Sequence, residues 1–155
     1  MARVLITGMS GVGKSSALAE LAARGHDVVE TDEPGWLDAG GNLDSARLDA
    51  VLAHGRTTHL FVSATAANQG SFYDRFDAIV LLSAPLDVMF ARIDARTTND
   101  YGKSANDREL IVRHLAEVEP LLRAGATHEI VTTVPLAEVV RELEAIADGS
   151  RLRSI

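Results

Sequence analysis

At 155 residues with 46% apolar content, the chain has the length and core-forming composition of one compact domain spanning 1–155, and the absence of cysteine excludes disulfides, thiolate catalysis and cysteine-ligated zinc together. A formal charge of −7 argues against general binding to nucleic acid or to an anionic membrane. No apolar run approaches the length of a membrane span, and the first strand begins by Arg3, so neither a membrane helix nor a signal segment is expected and a cytoplasmic location is.

The first element is Val4-Leu5-Ile6-Thr7, which reads as a buried strand from about Arg3 to Thr7. It feeds Gly8-Met9-Ser10-Gly11-Val12-Gly13-Lys14-Ser15, which satisfies the phosphate-binding pattern G-x-x-x-x-G-K-[ST] in full, and Ala and Leu then recur at helical spacing from Ser15 to Arg24. Strand, glycine turn and helix are the context this loop requires. A nucleoside triphosphate carries clustered negative charge that backbone N–H groups solvate only where no side chain intervenes, which accounts for glycine at 8, 11 and 13. The helix beginning near Gly13 adds the positive end of its dipole, Lys14 reaches the outer phosphates, and the Ser15 hydroxyl is placed to ligate Mg²⁺. Gly8, Gly11, Val12, Gly13, Lys14, Ser15 and Ser16 are the expected nucleotide-binding set. The dinucleotide fingerprint G-x-G-x-x-G/A is refused, because its nearest fit, Gly11-Val12-Gly13, has Ser16 in the last position and Lys14 inside the motif.

A second strand is expected over Asp27 to Glu30, followed by Thr31-Asp32-Glu33-Pro34-Gly35-Trp36. Seven acids (Asp27, Glu30, Asp32, Glu33, Asp38, Asp44, Asp49) face one base, Arg47, between His26 and Ala50. Asp44 is a candidate N-cap, with Leu43 and Leu48 at the spacing of a hydrophobic staple, for a helix to about Ala53. Further strands are expected over Thr58 to Ser63, Ala78 to Leu82 and His128 to Val131; Phe72, Tyr73 and Phe76 read as packing under a connecting loop with Arg75 exposed. Pro85 suits a first helical position before the apolar face Leu86, Met89, Phe90 and Ile93. Ser104 can cap one long helix bent by Pro120, and the final helix opens at Pro135. The five histidines have no metal-site spacing and read as surface or strand-edge residues.

Strands alternating with helices imply a doubly covered parallel sheet, and ligands of such sheets sit beyond the carboxyl ends of the strands. Asp32 would then lie near the γ-phosphate and Mg²⁺, where a carboxylate can orient or deprotonate an acceptor hydroxyl or hold the metal's water. Glu33 is a lesser candidate, and Trp36 is either a planar wall for a substrate or a loop anchor. The third strand has Ser63 and Thr65 where motor and switch NTPases place a magnesium-binding aspartate, which counts against those classes. Arg92 and Arg96, four apart on one helix face, lead into a polar lid-like loop, Thr97 to Ser104, which with Lys103, Arg108 and Arg113 is a candidate for closing over a migrating phosphoryl group.

With these motifs the chain resembles, over nearly its whole length, the P-loop kinases that include adenylate, shikimate and gluconate kinases. The resemblance implies a three-layer α/β fold with a five-stranded parallel sheet in the order 2-3-1-4-5, ATP and Mg²⁺ as cofactors, and a small-molecule phosphoryl acceptor. It further implies an acceptor-binding segment over about 32–57, a lid over about 97–105 and a monomer or homodimer. By the same resemblance Arg92 would contact the adenine ring, Arg96 and Arg113 the phosphates, and Thr133 to Pro135 the base from below. Asp32 resembles the aspartate that holds the acceptor hydroxyl, giving Lys14, Asp32 and Arg96 as the catalytic set and Ser15 with Asp32 as the metal set. The acidity of the acceptor segment opposes an anionic acceptor and favours hydroxyl transfer. A nucleoside monophosphate kinase and a regulatory ATP-binding module of slow hydrolysis are the alternatives.

Overall fold

The computed structural model describes residues 1–97 and 100–153. Its five strands, β1 (Arg3–Thr7), β2 (Asp27–Glu30), β3 (Leu60–Ser63), β4 (Ala78–Ser83) and β5 (His128–Val131), are all parallel and lie in the order β2-β3-β1-β4-β5, the order expected. Six α-helices connect or follow them: α1 (Lys14–Ala23), α2 (Ser45–Ala53), α3 (Leu86–Ala95), α4 (Ala105–Glu117), α5 (Glu119–Gly125) and α6 (Leu136–Arg153). β1 is central, with Leu5 registered between Val62 of β3 and Ile79 of β4. Every residue of β3 and β4 is buried, because a strand inside a doubly covered sheet has no solvated face.

The core is split by the sheet. Val4 and Ile6 pack in one cluster with Leu21 of α1, Met89 of α3 and Leu143 of α6, whereas Leu5, one step along the pleat, joins Leu48 and Leu52 of α2, Trp36 and Phe72 on the opposite face. Both proposed side-chain caps form: Asp44 accepts from the Arg47 N–H at 3.0 Å, and Ser104 accepts from the Asp107 N–H at 3.1 Å.

Several expectations are corrected. Pro120 does not bend one helix; the helix stops at Glu117 and restarts as α5, with Pro120 in the first turn where its missing N–H costs nothing. Pro85 is the cap before α3 rather than its first residue, and α6 begins one residue after Pro135. The aromatic loop is a 3₁₀ helix, Gln69–Arg75, in which Arg75 is half-buried and paired with Asp49. His59 is buried rather than superficial: its Nδ1 accepts from the Ala2 N–H at 3.0 Å, its Nε2 meets Asp148 at 2.8 Å, and its ring stacks on His26. The partner in α6 lies 89 positions away, so no local pattern could announce the contact.

Since all strands are parallel, the loops after β1, β2 and β3 emerge at one end of the sheet. Asn68 ties two of them together, accepting from the Leu43 N–H at 2.8 Å and donating to the Leu43 carbonyl at 3.3 Å.

Candidate active site

The loop between β1 and α1 wraps closely against neighbouring backbone. A Cβ on Gly8, at φ +153°, would lie 2.5 Å from the Leu82 carbonyl oxygen, and one on Gly11, at φ +84°, 2.7 Å from the Met89 carbonyl oxygen. Glycine is therefore required at both positions by contact as well as by backbone conformation. The Gly8 carbonyl accepts from Lys14 Nζ at 2.5 Å and from Thr65 Oγ1 at 2.6 Å, and Lys14 Nζ also reaches the Met9 carbonyl at 3.2 Å.

Lys14 is half-buried as a residue, with its ammonium turned inward. That burial pulls its pKa from 10.5 down to about 8; the negative charges of Asp32 and Glu30 work against the shift, and Arg96 adds to it. Ser15, in the first turn of α1, donates to Glu30 Oε1 at 2.5 Å. Glu30 closes β2, so a hydroxyl and a carboxylate oxygen meet at the mouth of the loop, a hard donor pair suited to Mg²⁺ and its waters.

A cleft of about 650 Å³ opens over this loop. It is lined by Gly11 to Ser16, by Asp32 after β2, by Arg92 and Arg96, by Tyr101 and by the segment after β5. Of the residues singled out from the sequence, the fold thus brings Gly11, Val12, Gly13, Lys14, Ser15, Ser16, Asp32, Arg92 and Arg96 to one cavity. Gly8 underlies it through its carbonyl. In the segment after β5, Thr132, Val134 and Leu136 line the cleft, while Thr133 and Pro135 alternate with them, are exposed and lie outside the lining.

The Arg92 guanidinium donates to Thr132 Oγ1 at 2.8 Å and to the Thr132 carbonyl, and reaches the Gly11 carbonyl at 3.4 Å. The Thr132 hydroxyl in turn donates to the Val12 carbonyl at 2.7 Å. Arg96 donates to the Tyr101 carbonyl at 2.5 Å, and Lys103 donates to the Arg96 carbonyl at 2.7 Å. Arg108 pairs with Asp94, donates to the Gly102 carbonyl and lies over the Phe90 ring, so it braces the turn; Arg113 is exposed and outside the lining. Thr98 and Asn99 of the lid-like segment lie outside the described residues.

Three residues of the site were not assigned their roles from sequence. Glu30 has no signal beyond its place two before Asp32, and Thr65 and Thr132 serve loop carbonyls through long-range contacts. Trp36 is buried, with the Arg47 guanidinium 4.3 Å above its ring, and both line a second cavity of about 320 Å³ that meets the first at Ser15.

No curated protein matches the chain. Among solved structures it is similar to a shikimate kinase from Acinetobacter baumannii in complex with shikimate, at 16% identity and a TM-score of 0.72 over 98% of this chain and 96% of that one. A gluconokinase from Sinorhizobium meliloti 1021 is similar at 22% identity and a TM-score of 0.60, covering 99% of this chain and 98% of that one. A sugar kinase from Janibacter sp. HTCC2649 is similar at 19% identity and 0.57, covering 96% and 95%. These likenesses establish the P-loop kinase fold. A family model described as an AAA domain matches residues 4–113, from β1 through most of α4, and the chain belongs to that family.

Proposed function

We propose that the protein is a kinase that moves the γ-phosphoryl group of Mg-ATP to a hydroxyl of a small molecule. The observation that carries this reading is the convergence of Lys14, Ser15, Asp32, Arg92 and Arg96 on one cleft over the phosphate-binding loop. The loop amides and Lys14 would stabilise the β and γ oxygens, Ser15 with Glu30 and Asp32 would hold Mg²⁺ and its waters, and Arg96 would balance charge developing in transfer. A bond forms between the acceptor oxygen and the γ phosphorus as the bond to the β–γ bridging oxygen breaks. ADP leaves with that electron pair, and Asp32 takes the hydroxyl proton. Arg92, Thr132 and the apolar Val134, Leu136 and Val139 supply the base end of the cleft.

The nucleoside monophosphate alternative needs free cations for a second phosphate. Arg47, Arg56 and Arg75, the arginines of the acceptor half, are each committed within the fold: to Trp36, to Asp27 and to Asp49 respectively. A regulatory module of slow hydrolysis is favoured by the AAA description of the family model, and is separated by experiment. ADP release from Mg-ATP should be stimulated by a pool of hydroxyl metabolites and lost in Lys14→Ala with the far-UV circular dichroism unchanged. Release indifferent to every pool, or full turnover by Lys14→Ala, would sink the kinase assignment.

A further inference from the structure

The acidic stretch from Asp27 to Asp49 sorts into structural and unassigned charges. Asp27 pairs with Arg56, Asp49 pairs with Arg75, and Asp44 caps α2. Asp38 accepts from the Gly40 and Asn42 N–H groups, which close its own turn and hold its carboxyl below the usual carboxylate range. Glu30 is bound by Ser15, and Asp32 acts on Lys14. Glu33 is what remains: among the described residues it has no hydrogen-bonded or ion-paired side chain, and it lines the cavity of about 320 Å³ that abuts Ser15.

The remainder of that cavity shows what could lie beside Glu33. Its floor is apolar, from Leu18, Val28 and Val29, and Trp36 forms a wall. Among the described residues Arg47 is the single cation lining it, and its guanidinium is laid on the indole with Nη1 directed at the Pro34 carbonyl at 3.4 Å. Gly35 crowds the same Nη1 so closely that a Cβ there would lie 2.8 Å from it. With Glu30 given to Ser15 and the metal, an anionic acceptor would still meet the Glu33 carboxylate against one arginine that is already packed on Trp36. A cation would meet an unpaired carboxylate in a cavity whose lining also holds Leu18, Val28, Val29 and Trp36 and that abuts the first cleft at Ser15. The volume sits at the small end of ligand pockets, about 300 Å³ upward, which suits a molecule of amino-alcohol or amino-sugar size.

We infer that the acceptor is a small hydroxyl compound bearing a cationic nitrogen, and that Glu33 is the residue that selects it by pairing with that nitrogen. The inference rests on the kinase reading above. The transfer is the one already written, with the acceptor oxygen attacking, ADP leaving and the proton passing to Asp32; the ammonium takes no part beyond binding.

The test measures ADP release from Mg-ATP near neutral pH with three pools matched in size: amino alcohols and amino sugars, neutral polyols and sugars, and hydroxy acids. The amine pool is expected to give a kcat/KM about tenfold or more above the other two, a difference set by one ion pair. Glu33→Gln should raise the amine KM about tenfold while keeping kcat and the nucleotide KM, and Glu33→Lys should move preference toward the acids. Glu33 is exposed, so neither change threatens folding. Preference for the acids or neutral compounds, or an unchanged amine KM in Glu33→Gln, overturns this inference and leaves the kinase reading standing. Stimulation by no pool overturns both.

Discussion

The fold buries the Lys14 ammonium against the Gly8 and Met9 carbonyls. Burial pulls its pKa to about 8, so on the proposed function the arrival of phosphate oxygens would favour the protonated form. Nucleotide affinity should on that reading be level below about pH 8 and fall as pH rises above it, and titration calorimetry across that range should show the bend in the natural protein and not in Lys14→Met. Stability of the empty protein has the opposite sign. Between about pH 8 and 10.5 the unfolded chain keeps a proton that folded Lys14 has lost, so stability to denaturant should rise with pH over that window. A flat profile, or one that Lys14→Met reproduces, would remove Lys14 as its cause.

Among elements, the end of β5 is joined to the phosphate-binding loop and to α3 through one side chain. The Thr132 hydroxyl donates to the Val12 carbonyl, accepts from Arg92, and lies 3.3 Å from the Ser83 carbonyl at the end of β4. Thr132→Val keeps the volume and removes all three contacts, leaving the buried Val12 carbonyl without this donor. The expected cost is about 1–3 kcal/mol of stability, together with a several-fold rise in nucleotide KM from a loosened loop and an Arg92 left with only the Thr132 and Gly11 carbonyls as partners. Chemical denaturation and initial rates measure the two effects; a stable variant with unaltered nucleotide KM would show that the strap does not position the loop.

For the whole molecule, the sheet separates two apolar layers but also couples them, because Leu5 and its neighbours Val4 and Ile6 belong to the same central strand. Opening one face exposes the strand that the other packs against. The single tryptophan, Trp36, reports the α2 face, whereas far-UV circular dichroism is dominated by helices on the other, α6 above all. The two probes should give coincident denaturation curves. An earlier fluorescence transition would mean that the α2 face and the cavity beside Glu33 unfold on their own.

The limits of β1, β2 and β5 were legible in the chain itself, as were the turn at Gly8 to Ser15 and the caps Asp44 and Ser104, because each depends on residue type and spacing within a few positions. The sheet order was reached through resemblance rather than periodicity, since strand patterns alone do not say which strands are neighbours. What tertiary structure decided is the pairing of side chains distant in sequence: Ser15 with Glu30, Thr65 with Gly8, Thr132 with Val12, and His59 with Asp148. It also decided which acids of an acidic stretch are used up in turns, caps and ion pairs, and so left Glu33 apart. Local preference chooses a backbone conformation, whereas the partner of a polar side chain is chosen by whatever the packed chain brings within about 3 Å of it.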